Sequence, residues 1–471
     1  MGDLRFPVYT QYQLSEMSSP LSEEEKELIE RQIDAITQED ILTIIYTSGT
    51  TGVPKGVILT QGNVMINAEY GVKQLGMPHK DATVLSFLPL SHVLERTGGY
   101  YVTLLGGNHI AFAENVAAVM ENMVEIRPTS MVSVPRLFEK IYSRIYENVH
   151  QMPPIRKNLF HRAVEVGREY VNRKYVRKEP LGFLELKHRF YDRLVFKKIR
   201  NRFGGRLKYF LCGGAPLDKT INEFMWIIGL PVYNGYGLTE TSPAVTISSV
   251  DEVRFDSVGK PLRDTELKLA EDGELLVKGP QVMREYYKNE QATRESMEDG
   301  WFKTGDIAQI DEDGFVYIID RKKELIVTAG GKNIAPQPIE NELKLDKYIS
   351  QAIIFGDRKP YLVALLTPNL ERLIDFAREV NISYIDIEEL VNHTRIRELF
   401  DKRISEMNSN YPPYKTIKYF AILPREFSIE GEELTPTLKM KRKVIYSKYK
   451  DIVDDLYANN GNGVIAQHKK N

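Results

Sequence analysis

Between Ile41 and Asn234 short apolar runs alternate with longer amphipathic segments, and few architectures satisfy that pattern. The runs Ile41 to Tyr46, Val84 to Leu88, His109 to Phe112, Ser130 to Val134, Lys208 to Cys212 and Val232 to Asn234 have strand length, and each is separated from the next by enough residues for a helix. A helical crossover returns the chain in the same direction, so the pattern predicts an α/β fold of parallel sheets covered by helices. Such sheets hold ligands at the carboxyl ends of their strands. After about Thr265 the pattern turns to β-hairpins, with Glu266 to Ala270 and Glu274 to Lys278 flanking Asp272-Gly273, and Ile307 to Ile310 and Phe315 to Ile319 flanking Asp313-Gly314. A boundary at Arg321 to Lys323 divides a large domain, 1–321, containing a β-rich subdomain, from a small mobile α+β domain, 322–471. The small domain is expected to hold strands at Ala352 to Phe355 and Leu362 to Leu366, and helices near Leu370 to Val380 and Ile387 to Met407.

Residues 46 to 57 read YTSGTTGVPKGV, directly after the first apolar run. Gly49, Gly52 and Gly56 permit tight backbone turns, Thr47, Ser48, Thr50 and Thr51 crowd hydroxyl donors together, and Lys55 adds a mobile cation. That is the chemistry of a loop that grips phosphate. It is not a Walker A loop, because Lys55 stands between Pro54 and Gly56 rather than in a Gly-Lys-Ser/Thr sequence.

Five further motifs follow in order: CGGAPL from Cys212, YNGYGLTETSP from Tyr233, GWFKTGD from Gly300, DRKKELIVTAGGKNIAP from Asp320 and LTPTLKMKR from Leu434. Together with the loop they resemble the adenylate-forming (AMP-binding) superfamily over about Asp40 to Tyr446. LPLSHVLER at Leu88 to Arg96, SVPRLFEK at Ser133 to Lys140, and AGGKNIAP look most like long-chain fatty acyl-CoA synthetases.

The resemblance implies a ligase with ATP, Mg²⁺ and coenzyme A as cofactors or co-substrates and a medium- or long-chain fatty acid as substrate. A carboxylate would attack the α-phosphorus of ATP, and a thiol would then take the acyl group from the adenylate. By the same resemblance the loop from Thr47 through Ser48, Gly49, Thr50, Thr51 and Gly52 to Lys55 closes over the β- and γ-phosphates. Tyr236 and Gly237, with Gly214 and Ala215, line the adenine; Thr239 bonds the α-phosphate; Glu240 holds Mg²⁺, for which one carboxylate with phosphate and water suffices. Asp306 and Arg321 take the ribose hydroxyls, as a carboxylate acceptor and a forked guanidinium donor can. Lys439 would bridge substrate carboxylate and α-phosphate, its register set by the terminal motif, with Lys441 and Lys443 as close neighbours. His92 would lie against the substrate carboxylate. Lys323 would be the hinge about which the small domain turns after adenylation, bringing Gly330 and Gly331 over the pantetheine arm.

Composition narrows the setting. The single Cys212 excludes an internal disulfide framework and a cysteine-based zinc site, and its place before Gly213 suits a buried strand end. The amino terminus has no basic segment followed by an apolar one, and Thr97 to Ala113 is too broken by glycines to span a bilayer, so a cytoplasmic protein is expected. A net charge of −2 argues against nucleic acid as a partner. The charge is uneven, however: Gln151 to Arg206 holds 16 Lys/Arg against 5 Asp/Glu, interleaved with aromatics, which suits either solvated helix faces or peripheral contact with an anionic membrane.

The front of the chain departs from the family. Only 45 residues precede the loop, where relatives carry a much longer segment. They include an acidic helical stretch, Ser22 to Ile36, expected to pack as the linker ahead of the loop. That departure keeps open a non-catalytic or split nucleotide- or acyl-binding module, and an acyl-AMP ligase that loads a carrier protein is a further alternative. The complete Lys439, Glu240 and Asp306 set argues for catalysis.

Overall fold

The computed structural model describes residues 11–17, 20–47, 54–74, 82–249, 251–435 and 438–458. Its central sheet has seven strands in the order His109–Phe112, Thr83–Ser86, Ser130–Ser133, Tyr209–Cys212, Val232–Gly237, Ala244–Ile247 and Lys260–Pro261. The first five run parallel, and the last two add antiparallel. The chain passes outward from Thr83–Ser86 to His109–Phe112 and then back across to Ser130–Ser133, so the winding direction switches between Thr83–Ser86 and Ser130–Ser133, the kind of point where ligands collect at carboxyl ends. The largest apolar cluster lies on this sheet, with Phe138, Phe196 and Phe210 fully buried and Cys212 among them.

Five of the six expected strands take these parallel places. The sixth does not: Ile41–Thr47 pairs antiparallel with Lys55–Thr60, which in turn pairs antiparallel with Glu285–Tyr286. An apolar run reports strand length and burial but not the partner's direction, and here the chain turns back on itself within a few residues. The loop expected to hold phosphate therefore closes a hairpin whose legs end at Thr47 and Lys55. The strand expected over Val232 to Asn234 runs on to Gly237, so YNGYG lies on it.

Both Asp-Gly hairpins form, Glu266–Leu269 with Glu274–Lys278 and Trp301–Ile310 with Val316–Arg321, within one antiparallel sheet. Beyond Arg321 a three-stranded sheet joins Ile349–Phe355 antiparallel to Leu362–Pro368, and the latter parallel to Ile417–Ile422. Its side chains alternate between two apolar clusters: Ala352, Ile354, Leu362 and Ala364 face one, and Ile353, Phe355, Val363 and Leu365 face the other. Helices cover both faces. The helix expected over Ile387 to Met407 is two, Ile387–Asn392 and Thr394–Asn408, because His393 is extended and its side chain caps the second.

The helix Glu23–Asp34 forms behind a Ser22/Glu25 capping box. It does not pack as expected: none of its residues is buried, and Leu28 and Ile33 are exposed. Cover for this apolar side is not found among the described residues.

Candidate active site

The carboxyl ends of the parallel strands open on a cleft of about 1620 Å³ lined from four directions. The sheet supplies His92, Gly214, Tyr236, Gly237, Thr239 and Glu240; the first hairpin supplies Thr47 and Lys55; Arg321 and Lys323 enter from the β-rich side, and Lys439 from the small C-terminal unit. Ala215, Asp306, Gly330 and Gly331 do not line it. Ala215 is exposed beside Gly214, and the two glycines sit at the tip of a small hairpin between Ile326–Val327 and Asn333–Ile334. Ser48, Gly49, Thr50, Thr51 and Gly52 lie outside the described residues.

Local backbone demands explain the glycines. At Gly237 a Cβ would stand 1.7 Å from the Pro243 carbonyl oxygen, so no other residue fits; Gly214 turns with φ +84°. The turn that follows, Thr239–Thr241, is locked by the buried Thr241 hydroxyl, which accepts from Leu238 N–H at 2.9 Å and donates to the Pro243 carbonyl at 2.6 Å. Thr239 and Glu240 are thereby held at the cleft wall.

Asp306 and Arg321 are cross-strand partners, 3.2 Å apart between Oδ1 and Nε. The Tyr236 hydroxyl donates to the other Asp306 oxygen at 2.7 Å. Burial, and then the Asp306 charge, push the phenol far up, so Tyr236 stays a donor. Each Asp306 oxygen keeps a lone pair for an added hydroxyl.

His92 sits in the strap Leu88 to Arg96, which Arg96 ties down by donating to the Leu90 carbonyl at 3.0 Å and the Thr43 hydroxyl at 2.6 Å. Its Nδ1 accepts the Leu94 N–H at 3.2 Å, which leaves the ring proton on Nε2. Burial lowers its pKa, so the ring is neutral near pH 7.

Lys439 arrives on a tight turn. Leu434 and Met440 bridge antiparallel, the Lys439 N–H donates to the Thr435 hydroxyl at 3.0 Å, and Leu438 takes φ +61°. Buried Glu433 anchors the turn at one end: burial opposes its charge, but hydrogen bonds from Arg425 at 2.6 Å, Lys448 and Tyr449 hold its pKa down to about 2. At the other end Arg442 donates to the Ile354 carbonyl at 2.6 Å and to Glu340 at 2.7 Å. Burial, and then the Arg321 charge, push the Lys439 ammonium down, while Glu324, Asp306 and Asp320 act the other way. Among the described residues its Nζ has no ion-pair partner within 4.0 Å, so an incoming anion would meet a desolvated cation.

Two features escaped sequence reasoning. The Tyr286 hydroxyl donates to Glu240 at 2.8 Å, and the Lys55 ammonium lies 4.7 Å from the centre of the same ring. Only its place in the Tyr286-Tyr287 pair could have drawn attention. Glu95, inside the π-helical stretch Leu94–Tyr101, is 1% exposed with neither carboxylate oxygen paired, and burial raises its pKa to about 7. No group of three or more His, Cys, Asp or Glu residues suited to a metal occurs among the described residues. Glu240 alone, with one oxygen held by Tyr286, fits an Mg²⁺ that comes with its own phosphate ligands rather than a resident ion.

The AMP-binding enzyme family matches residues 6–287, and the AMP-binding enzyme C-terminal domain matches residues 323–461. The long-chain-fatty-acid–CoA ligase FadD15 of Mycobacterium tuberculosis is 38% identical over 435 residues, covering 90% of this chain and 71% of the relative. The long-chain-fatty-acid–CoA ligase ACSBG1 of Homo sapiens is 34% identical over 483 residues, covering 96% of this chain and 66% of the relative. Among solved structures, the adenylation domain of a carboxylate reductase from Mycobacterium chelonae superimposes with a TM-score of 0.68 at 22% identity, over 89% of this chain and 60% of that one. The o-succinylbenzoate coenzyme A synthetase of Bacillus subtilis, solved with ATP and magnesium, gives 0.60 at 22% identity, over 87% and 70%. At those identities the two structures speak to the fold alone.

Proposed function

The chain belongs to the AMP-binding enzyme family, and from that premise we propose that it is an acid–thiol ligase joining a medium- or long-chain fatty acid to coenzyme A. The observation that carries the reading is the entry of Lys439 from the small unit into a cleft whose other walls hold Glu240, Thr239, Tyr236 and Arg321, with Asp306 bonded to the last two.

In the first half-reaction a carboxylate oxygen of the acid attacks the α-phosphorus of ATP. The bond to pyrophosphate breaks, and the acyl-adenylate remains. Tyr236, Gly214 and Gly237 seat the adenine, Asp306 and Arg321 bind the ribose, and Thr239 orients the α-phosphate. Thr47 and Lys55, at the feet of the loop, approach the outer phosphates. Glu240 would hold Mg²⁺, which neutralises phosphate charge. Lys439 stands between the two reacting anions and offsets charge as it builds on the transferring group, the effect that positioning and fixed donors supply most strongly. Neutral His92 donates Nε2–H toward the acid without adding a competing cation.

In the second half-reaction a thiol attacks the acyl carbon and AMP leaves with the bonding electrons. Lys439 has no task there. We take the boundary between 1–321 and 322–471 as a hinge at Lys323, about which the small unit withdraws Lys439 and brings Gly330 and Gly331 to the cleft. Their position outside the cleft while Lys439 is inside fits an arrangement set for adenylation. No helix among the described residues is long and apolar enough to cross a membrane. We place the reaction in the cytoplasm, beside the membrane from which a sparingly soluble acid would come.

The test is AMP and pyrophosphate release with ATP, Mg²⁺ and fatty acids of graded length, with and without coenzyme A. Release that needs both acid and coenzyme A is expected. Folded protein that binds ATP and releases nothing with any acid is a binding module, and acid-dependent release indifferent to coenzyme A points to another acceptor.

A further inference from the structure

The excess of cations in Gln151 to Arg206 becomes specific once the helices are placed. The helix Phe183–Tyr191 continues through a π-helical turn, Asp192–Phe196, into Lys197–Asn201. Its inner side is filled: the His188 ring stacks on Tyr170 with centroids 3.7 Å apart, and Phe196 is fully buried. Its outer side carries Phe183, Leu186, Phe190 and Leu194, which are 78%, 61%, 59% and 37% exposed. Spacings of three and four residues line them up as one apolar stripe along the helix.

The residues beside the stripe are of one sign. Lys187, Arg189, Arg193, Lys197 and Lys198 are all exposed. The two acids of this run are already engaged, Glu185 with Arg189 at 2.7 Å and Asp192 with Arg200 at 2.6 Å. Among the described residues Lys187, Arg193, Lys197 and Lys198 have no ion pair within 4.0 Å. Leu194 and Lys198 also line a cavity of about 1070 Å³ that Lys140, Arg144, Arg156 and Arg202 border together with Glu139, Glu147, Glu371 and Glu426. A helix face meant only for water would not carry two phenylalanines and two leucines in register, and the unpaired charges flanking them, Lys187, Arg193, Lys197 and Lys198, are all positive.

We propose that this face docks the protein on an anionic lipid bilayer, with Phe183, Leu186, Phe190 and Leu194 entering the headgroup boundary and the flanking lysines and arginines meeting lipid phosphates and carboxylates. The occupant is a membrane rather than a soluble anion because the apolar stripe and the cations lie side by side along one exposed helix face, the arrangement of an interfacial helix. Its purpose rests on the fatty-acid reading, since it would bring the cleft to where such an acid resides. Docking itself is independent of catalysis.

The experiment is co-sedimentation of the full chain with vesicles of phosphatidylcholine alone or of phosphatidylcholine mixed equally with phosphatidylserine, at low and high salt. Binding to the anionic vesicles that weakens in salt is expected, because each cation near such a surface contributes roughly fivefold. The pair Phe183→Ser with Phe190→Ser, and separately Lys187→Glu with Lys197→Glu, should each lower that binding about tenfold or more. Since none of these side chains is buried, melting temperature and AMP release with soluble octanoate should stay at the parent's values. Equal binding to neutral and anionic vesicles, or parent-like binding by both pairs, overturns the proposal. So does a dimer in sedimentation velocity that both pairs dissociate, which would make the stripe a seam between two copies. Docking without any acid-dependent AMP release would leave this inference standing and remove the ligase reading.

Discussion

The two sides of the cleft are built on opposite principles. On the nucleotide side Tyr236, Asp306 and Arg321 bond one another before any ligand arrives, on strands and a turn that belong to the large region. On the other side Lys439 has no charged partner within 4.0 Å among the described residues, and the turn that presents it is anchored at Glu433 and Arg442 to the small unit. A preorganised binding wall needs little rearrangement, whereas a cation delivered on a separate body can act in one step and be absent from the next. Contacts across the two bodies hold the present arrangement. Lys344 reaches Glu139 at 2.9 Å, Arg136 donates to the Ser350 carbonyl at 3.0 Å, and Arg372 lies 3.4 Å from Glu147.

If that contrast is right, replacing Lys439 by Ala should separate the half-reactions. Adenylation, followed by acid-dependent pyrophosphate release, should fall by about 10² or more, the scale of losing a transition-state charge partner. Conversion of supplied acyl-adenylate to acyl-CoA should be nearly unchanged. Equal losses in both would mean that Lys439 is not the delivered cation, and Lys441, which also lines the cleft, would be tested next.

Legibility divides along similar lines. Apolar runs and Asp-Gly turns are local signals, so the parallel strands, both hairpins and the first two strands of the small unit could be read from the sequence. The direction of Ile41–Thr47 could not, because its partner rather than its composition decides it. Ile417–Ile422 escaped notice because its place depends on a parallel neighbour about fifty residues earlier in the chain. In the site, the motifs fixed positions by resemblance, but the bonds that make them work span long separations. Tyr286 reaches Glu240 across 46 residues and Arg442 reaches Glu340 across 102, and nothing periodic marks either pair.

The fixed side is not free of cost, and Glu95 measures it. Its pKa of about 7 lies above the usual 4.5, raised mainly by burial, with the Ser86 hydroxyl offsetting little of the effect. The folded protein therefore holds this proton more tightly than the unfolded chain does, and stability falls as pH rises from about 4.5 through 7. Glu95→Gln cannot ionise. It should melt a few degrees higher than the parent at pH 8 and close to it at pH 5, flattening the dependence of melting temperature on pH. Parallel curves for the two proteins would place Glu95's proton affinity near that of an exposed carboxyl.

The smallest effect is expected at Tyr286, on the nucleotide side. Its hydroxyl fixes one Glu240 oxygen and its ring carries the Lys55 ammonium, so one side chain orients both the proposed magnesium ligand and the cation at the loop's foot. The two contributions can be separated. Tyr286→Phe removes the hydrogen bond and keeps the ring, which should raise the Mg²⁺ needed for half-maximal adenylation about fivefold, the scale of one hydrogen bond to a charged group in a half-exposed site. The KM for ATP should hardly move. Tyr286→Ala removes the ring as well and should raise the KM for ATP by a further few-fold, the scale of an exposed cation–π contact. A Tyr286→Phe protein with the parent's magnesium requirement would show that the hydroxyl does not position Glu240, and the wall would then be preorganised only around the ribose.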